Sequence, residues 1–217
     1  MAYWLPALCP VVPAVSGPLG VRHRLDGDAV AITFDDGPHA EGTPAVLSLL
    51  AAAGVPATFF LVGEQVERQP ELAARIAAEG HGIGLHCQRH RNLMLLTPGQ
   101  LRSDLDRAQA AIEDACGVTP RLYRPPYGIF STAALVEVRR RGFEPLLWSR
   151  WGRDWARRAT PESVTRLVTR GVGPGDVLLL HDADHYSAPG SWRATAGALP
   201  KVIAELRRRG LQAVALG

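Results

Sequence analysis

Short apolar runs alternate along this chain with amphipathic stretches, and that alternation is its strongest structural signal. Residues 29–35, 57–62, 82–86, 121–124, 144–148 and 177–181 read as strands. Residues 43–53, 64–79, 98–116, 131–141, 161–170 and 195–209 read as helices, with Leu101, Leu105, Ala108 and Ile112 marking one apolar face. Gly54, Gly80, Gly117, Gly142 and Gly210 stand where these helices should stop, and residues 211–216 close the chain. Near-continuous apolar strands separated by helices predict an α/β fold with a parallel sheet covered on its outer face. The pattern makes about seven β/α repeats, closed as a barrel or open as a doubly wound sheet.

The chain has 217 residues, 47% of them hydrophobic, enough for one domain with a full core. Residues 1–28 read as a proline-rich lead (Pro6, Pro10, Pro13, Pro18), and residues 29–217 as the domain. The formal charge is +3. Arginine clusters at 139–141 and 207–209 sit at predicted helix ends, where cations suit the helix dipole. No aromatic residues interleave with them, so nucleic acid is not an expected partner. Cys9, Cys87 and Cys116 are odd in number and widely spaced, which predicts no disulfide framework and favours a reduced compartment. No apolar run reaches the about 18 residues of a membrane span. The first twenty residues carry no early Lys or Arg and are broken by proline, a poor signal peptide. A cytoplasmic protein is the expectation.

The chemically distinctive residues fall at the C-terminal ends of predicted strands, the edge where barrels and open α/β sheets bind ligands. Asp35 and Asp36 end the first strand, His86 the third and Arg124 the fourth. Trp148 and the loop to Asp154 follow the fifth, and His181 and Asp182 end the sixth. Adjacent carboxylates repel, so at least one needs a cation; the plainer reading is a solvated Asp-Asp-Gly-Pro turn. His86 and His90 share a face if the chain turns helical after His86. One carboxylate and two imidazoles form a common catalytic zinc site, leaving the second carboxylate free to act as a base. Cys87 between them reads as a small buried residue. Arg124-Pro125-Pro126-Tyr127-Gly128 is a stiff turn that would aim a guanidinium at Asp35 and a backbone N–H, that of Tyr127, at an oxyanion. His181 beside a metal and an acid is a candidate general acid.

The ordered set Thr33-Phe34-Asp35-Asp36-Gly37-Pro38, His86 with His90, Arg124-Pro125-Pro126-Tyr127-Gly128, Asp154-Trp155 and Leu178-Leu179-Leu180-His181-Asp182 resembles the polysaccharide deacetylases, carbohydrate esterase family 4 with its NodB-type domain. Ala57-Thr58-Phe59-Phe60 also matches that family's second strand. The resemblance runs from about Val30 to the C-terminus. It implies a distorted (β/α) barrel and a divalent metal, usually zinc, with cobalt or nickel as alternatives. It also implies metal ligation by Asp36, His86 and His90, and Asp35 as base. Tyr127 would hold the oxyanion through its N–H, and His181 would be the acid. Arg124 would hold Asp35, Asp154 would tune His181, and Trp155 and Leu179 would line the acetyl pocket. Cys87, Trp151 and Ser131 depart from the family pattern, which bears on substrate choice and groove shape. The expected activity is removal of acetyl from an N-acetylated amino sugar. O-deacetylation of a carbohydrate is the close alternative, and a non-catalytic carbohydrate-binding protein the distant one. The long polar loop 183–192 is expected to shape substrate choice, and Trp148, Trp151, Trp155, Tyr186 and Trp192 offer faces for sugars.

Overall fold

The computed structural model describes residues 3–217. Seven strands run in chain order: β1 (Ala31–Asp35), β2 (Thr58–Val62), β3 (Gly82–Cys87), β4 (Leu122–Tyr123), β5 (Glu144–Pro145), β6 (Arg150–Trp151) and β7 (Val177–His181). They form one parallel sheet in the order β5-β4-β3-β2-β1-β7-β6. Eight helices surround it: α1 (Pro13–Ser16), α2 (Gly42–Ala53), α3 (Gly63–Arg68), α4 (Pro70–Ala78), α5 (Pro98–Cys116), α6 (Thr132–Arg140), α7 (Pro161–Thr169) and α8 (Trp192–Arg208). The edge strands β5 and β6 are consecutive in the chain yet lie at opposite ends of the sheet. The curled sheet is therefore a distorted (β/α) barrel left open at that seam.

The apolar runs fold as the alternation predicts. Every residue of β1 and β2 is buried, as expected of a parallel sheet covered on both faces. Phe34 and Phe59 stack at 5.0 Å in the main core, joined by Leu47 and Leu50 from α2, Leu105 and Ile112 from α5, and Val202 from α8. α5 begins at a capping box made by Thr97 and Gln100 and ends at Gly117, whose φ of 67° closes the helix. No helix among the described residues is long and apolar enough to cross a membrane.

Four departures from the sequence pattern have local causes. The helix expected over 64–79 breaks at Gln69, because Pro70 lacks an N–H and forces its predecessor out of helical geometry. The strand expected over 144–148 stops at Pro145, since the next two carbonyls accept hydrogen bonds from the Arg124 side chain. The C-terminal residues 211–216 make a single bridge, Ala213 to Val30, because both edges of β1 are already taken by β2 and β7. The N-terminal lead is no loose appendage: Cys9, Leu19 and Val21 are buried in the core, and Arg22 exchanges backbone hydrogen bonds with Pro145 and Leu147 at the end of β5.

The core leaves little slack beneath the site. A Cβ on Gly84, mid-β3, would stand 2.5 Å from the Phe60 ring, whose face lies 3.9 Å from the Arg124 guanidinium carbon. Gly84→Ala is expected to cost about 1–3 kcal/mol by overpacking, read as a lower midpoint in thermal circular dichroism. Gly99→Ala, where an added methyl meets nothing within 4 Å, is the control. Equal midpoints for the two variants would refute the tight stack.

Candidate active site

Asp35 is the last residue of β1, level with His181 on β7. The chain leaves it through Asp36 at φ 78°, a left-handed conformation that aspartate adopts more readily than most residues. Asp35 Oδ1 accepts a hydrogen bond from Arg124 Nη1 at 2.7 Å. Asp36 Oδ1 lies 3.5 Å from His86 Nε2 and 3.4 Å from His90 Nε2. The two neighbouring carboxylates thus serve different partners, and both are buried.

His86 stands near the end of β3, and its Nδ1–H donates to the Arg124 carbonyl at 2.7 Å, which leaves Nε2 as the free lone pair. His90 arrives differently from the sequence expectation. After Cys87 the chain bends instead of turning helical. Its backbone is claimed by neighbours: Gln88 N–H donates to Asp104 Oδ2 at 2.6 Å, and the Gln88 carbonyl accepts from Glu64 N–H at 3.0 Å. Cys87 is fully buried, and burial pushes its thiol well above the ordinary range.

One ligand atom each from Asp36, His86 and His90 lie within 4.8 Å of one another. Asp36 Oδ1 is buried and accepts no hydrogen bond among the described residues. Burial opposes ionisation of Asp36, yet the neighbouring imidazoles of His86, His181 and His90 hold its pKa at about 2. Burial lowers His90 to about 4, so its imidazole is neutral at pH 7. An unpartnered buried carboxylate oxygen facing two imidazoles is a donor set that fits a divalent cation such as zinc.

Arg124 is fully buried. Besides Asp35, it donates to Thr33 Oγ1 at 2.8 Å and to the carbonyls of Leu146 and Leu147, each at 3.0 Å. On the opposite flank, His181 Nδ1 donates to Asp154 Oδ1 at 3.0 Å, while Asp154 Oδ2 accepts from His181 N–H and Thr195 Oγ1, each at 2.6 Å. Burial lowers the His181 pKa, but Asp154, then Asp36 and Asp35, outweigh it and raise it to about 10. Nε2 of this imidazolium lies 4.0 Å from Asp36 Oδ2.

These groups open onto a cleft of about 270 Å³, lined also by Tyr127, Trp148, Trp151, Trp155, Leu179 and Tyr186. Tyr127 sits at the lip with φ 60°, its ring edge-on to His90. Trp155 meets His181 edge-to-face at 5.4 Å. Trp192, expected as a sugar platform, instead packs near His39 under the Arg193 guanidinium and does not line the cleft. Asp35, Asp36, His86, His90, Tyr127, Trp155, Leu179 and His181 thus line one cleft, with Arg124 bonded to Asp35 and Asp154 to His181 behind it. Sequence reasoning missed Thr33, Thr195, Asp104 and the stacking role of Tyr186. The one available signal was Asp104, a charge inside the apolar stripe of α5.

Two predictions follow from the buried charges. Arg124→Lys replaces a planar fork serving four acceptors with a point charge that cannot, and breaking a buried pair costs about 3–5 kcal/mol. Chemical denaturation should show that loss; a variant as stable as wild type would contradict it. Asp182 is fully buried, with Oδ2 accepting from Thr43 Oγ1 and Oδ1 unpaired among the described residues. Burial raises its pKa to about 7. Folded protein therefore keeps this proton at pH values where the unfolded chain has released it, and the Asp182 contribution to stability falls as pH rises from about 4 to about 7. Asp182→Asn should gain stability relative to wild type across that window in metal-free protein; a constant difference would refute it.

Known proteins resemble this chain in sequence and in fold. Residues 22–146 match the family model described as Polysaccharide deacetylase. A chitooligosaccharide deacetylase from Bradyrhizobium sp. (strain ANU 289) is 37% identical over 210 residues, covering 90% of this chain and 94% of its own. The crystal structure of the Bc1960 peptidoglycan N-acetylglucosamine deacetylase superposes with a TM-score of 0.81 at 34% identity, over 87% of this chain and 86% of that one. A family 4 acetyl xylan esterase from Clostridium thermocellum, in complex with a cobalt ion, gives 0.76 at 31% identity, over 86% of this chain and 87% of that one. A family model matching more than half of the chain and a relative 37% identical over 94% of its own length show that the chain belongs to the polysaccharide deacetylase family.

Proposed function

We propose that this protein hydrolyses the acetamide of an N-acetylated amino sugar, releasing acetate and a free amine. The observation that carries the reading is the convergence in one cleft of three sets: Asp36 with His86 and His90, Asp35 with Arg124, and His181 with Asp154. Asp36, His86 and His90 would hold a divalent cation, zinc before cobalt or nickel. Such a cation supplies Lewis-acid charge at the scissile carbonyl.

The chain's own residues account for the proton movements. Asp35, fixed by Arg124, is the base that takes a proton from the attacking water. Water oxygen bonds to the carbonyl carbon, and the carbonyl oxygen gains the negative charge. The Tyr127 N–H, set by a backbone in the left-handed region, is the donor for that charge. The C–N bond then breaks, and His181 Nε2 gives its proton to the departing nitrogen. Asp154 keeps the His181 ring oriented and charged for this step. Leu179 and Trp155 form the apolar wall that receives the acetyl methyl, while Trp148 and Trp151 face the sugar. The chitooligosaccharide and peptidoglycan relatives support the amide substrate.

The acetyl xylan esterase neighbour favours a second reading, O-deacetylation of an acetylated carbohydrate by the same groups. An ester needs less help for its leaving group, so His181 separates the two. Acetate release should be measured on chitooligosaccharides, peptidoglycan fragments and acetylated xylan. With zinc-loaded enzyme, release from the amino sugars is expected, and it should vanish on chelation. Asp35→Asn should lower it about 10²–10⁴-fold. Faster release from xylan, insensitive to His181→Ala, would favour the esterase. Zinc binding without any release would favour a carbohydrate-binding protein.

A further inference from the structure

His86 and His90 face the same carboxylate but are held in different ways. The His86 ring is locked by its Nδ1–H bond to the Arg124 carbonyl. His90 Nδ1 is buried and has no protein partner among the described residues. Its backbone follows a bend at residues 88–89 beyond β3, outside the ladder that holds His86. A ligand imidazole ordinarily gains its orientation from a hydrogen bond at its second nitrogen. Something else must set the plane of the His90 ring.

The Tyr186 ring lies parallel to it, with centroids 4.4 Å apart and planes 11° from parallel. Tyr127 meets the same imidazole edge-on at 4.7 Å, and His86 is tilted against it at 5.3 Å. The tyrosine is itself fixed. Its hydroxyl donates to Glu64 Oε1 at 2.7 Å and accepts from Gln65 Nε2 at 2.9 Å, both on the first turn of α3. Loop 183–192, which carries it, is tied down on both sides. Asp184 pairs with His39 at 3.2 Å, His185 Nε2 donates to the Pro38 carbonyl at 3.2 Å, and Ala188 N–H donates to the Trp155 carbonyl at 3.2 Å.

We propose that Tyr186 is the positioning residue for His90, its stacked ring taking the place of the missing hydrogen bond. The inference rests on the cation-site reading above. Stacking suits the task because it acts on the face of the imidazole, while the Nε2 lone pair and the Nδ1–H bond lie in the ring plane. It fixes the plane without competing for Nε2. Rotation of His90 about its side chain would have to displace a ring anchored at its far end. A stacked pair adds attraction beyond the area it buries, which favours one ring orientation.

The test is Zn²⁺ affinity, measured by competition with a chromophoric chelator, together with the melting temperature of metal-free protein. Tyr186→Leu and Tyr186→Met keep apolar bulk without a ring, and two such variants guard against one failing to fold. Both are expected to weaken Zn²⁺ binding by about 10–100-fold, the usual effect of losing an orienting partner. Tyr186→Phe retains the stack and loses only its hydroxyl anchor, so it should bind Zn²⁺ more tightly than either ringless variant. The Co²⁺-loaded visible spectrum should shift in the ringless variants and not in Tyr186→Phe. Wild-type affinity in the ringless variants, even with lower melting temperatures, would show that Tyr186 only packs and would overturn the proposal. Equal weakening in all three would assign the effect to the hydroxyl and also overturn it. A wild-type protein that binds no Zn²⁺ would instead remove the cation site itself, a failure visible before any variant is compared.

Discussion

The buried guanidinium of Arg124 is the contact around which this molecule is arranged. Taking an arginine fully out of water costs several kcal/mol, and only dense hydrogen bonding and a counter-charge offset that cost. Here Asp35 supplies the charge, Thr33 and two carbonyls supply the acceptors, and the Phe60 ring covers one face. The two carbonyls belong to the chain that crosses between β5 and β6, the seam where the barrel stays open. Arg124 therefore ties this crossing segment to Thr33 and Asp35 of β1. Its backbone does separate work, because its carbonyl fixes the His86 ring. One residue orients groups in both halves of the site.

The open seam explains where the cleft lies. Closed barrels fill their interior with side-chain layers, whereas here Trp148 and Trp151 stand at the gap and leave room beside Asp35 and His181. Burial then sharpens the electrostatics. One acid and two imidazoles within a few ångströms take up distinct states: Asp36 stays ionised, His90 stays neutral and His181 stays charged. Each state follows from its nearest partner, with desolvation deciding the case of His90.

Much of this was legible in the sequence, and the reasons differ by residue. Strands β1 and β7 showed clearly as continuous apolar runs, and helix α5 as an apolar stripe at helical spacing. Asp35, Asp36, His86 and His181 stood out because each is a polar residue at the end of such a run. Less visible were features decided by partners distant in the chain. Whether His90 would share a helical face with His86 depended on Asp104, which captures the intervening backbone. Whether Tyr186 or Trp192 would face the cleft depended on how loop 183–192 is pinned to Pro38 and His39. Thr33 and Thr195 look like ordinary strand and helix residues until Arg124 and Asp154 are placed beside them. Local periodicity carries no information about such pairings.

The three residues that face one another across the cation site come from positions 36, 86 and 90, and the groups that hold them come from 124 and 186. No short segment of the chain contains that set, so an unfolded or half-assembled polypeptide has nothing equivalent to offer. A cation taken up there would be bound by the native state alone, and each hundredfold excess over its dissociation constant would add about 2.7 kcal/mol to the folded protein. Metal supply would then act as a reserve of conformational stability, and scarcity of metal would be felt first as shortened protein lifetime.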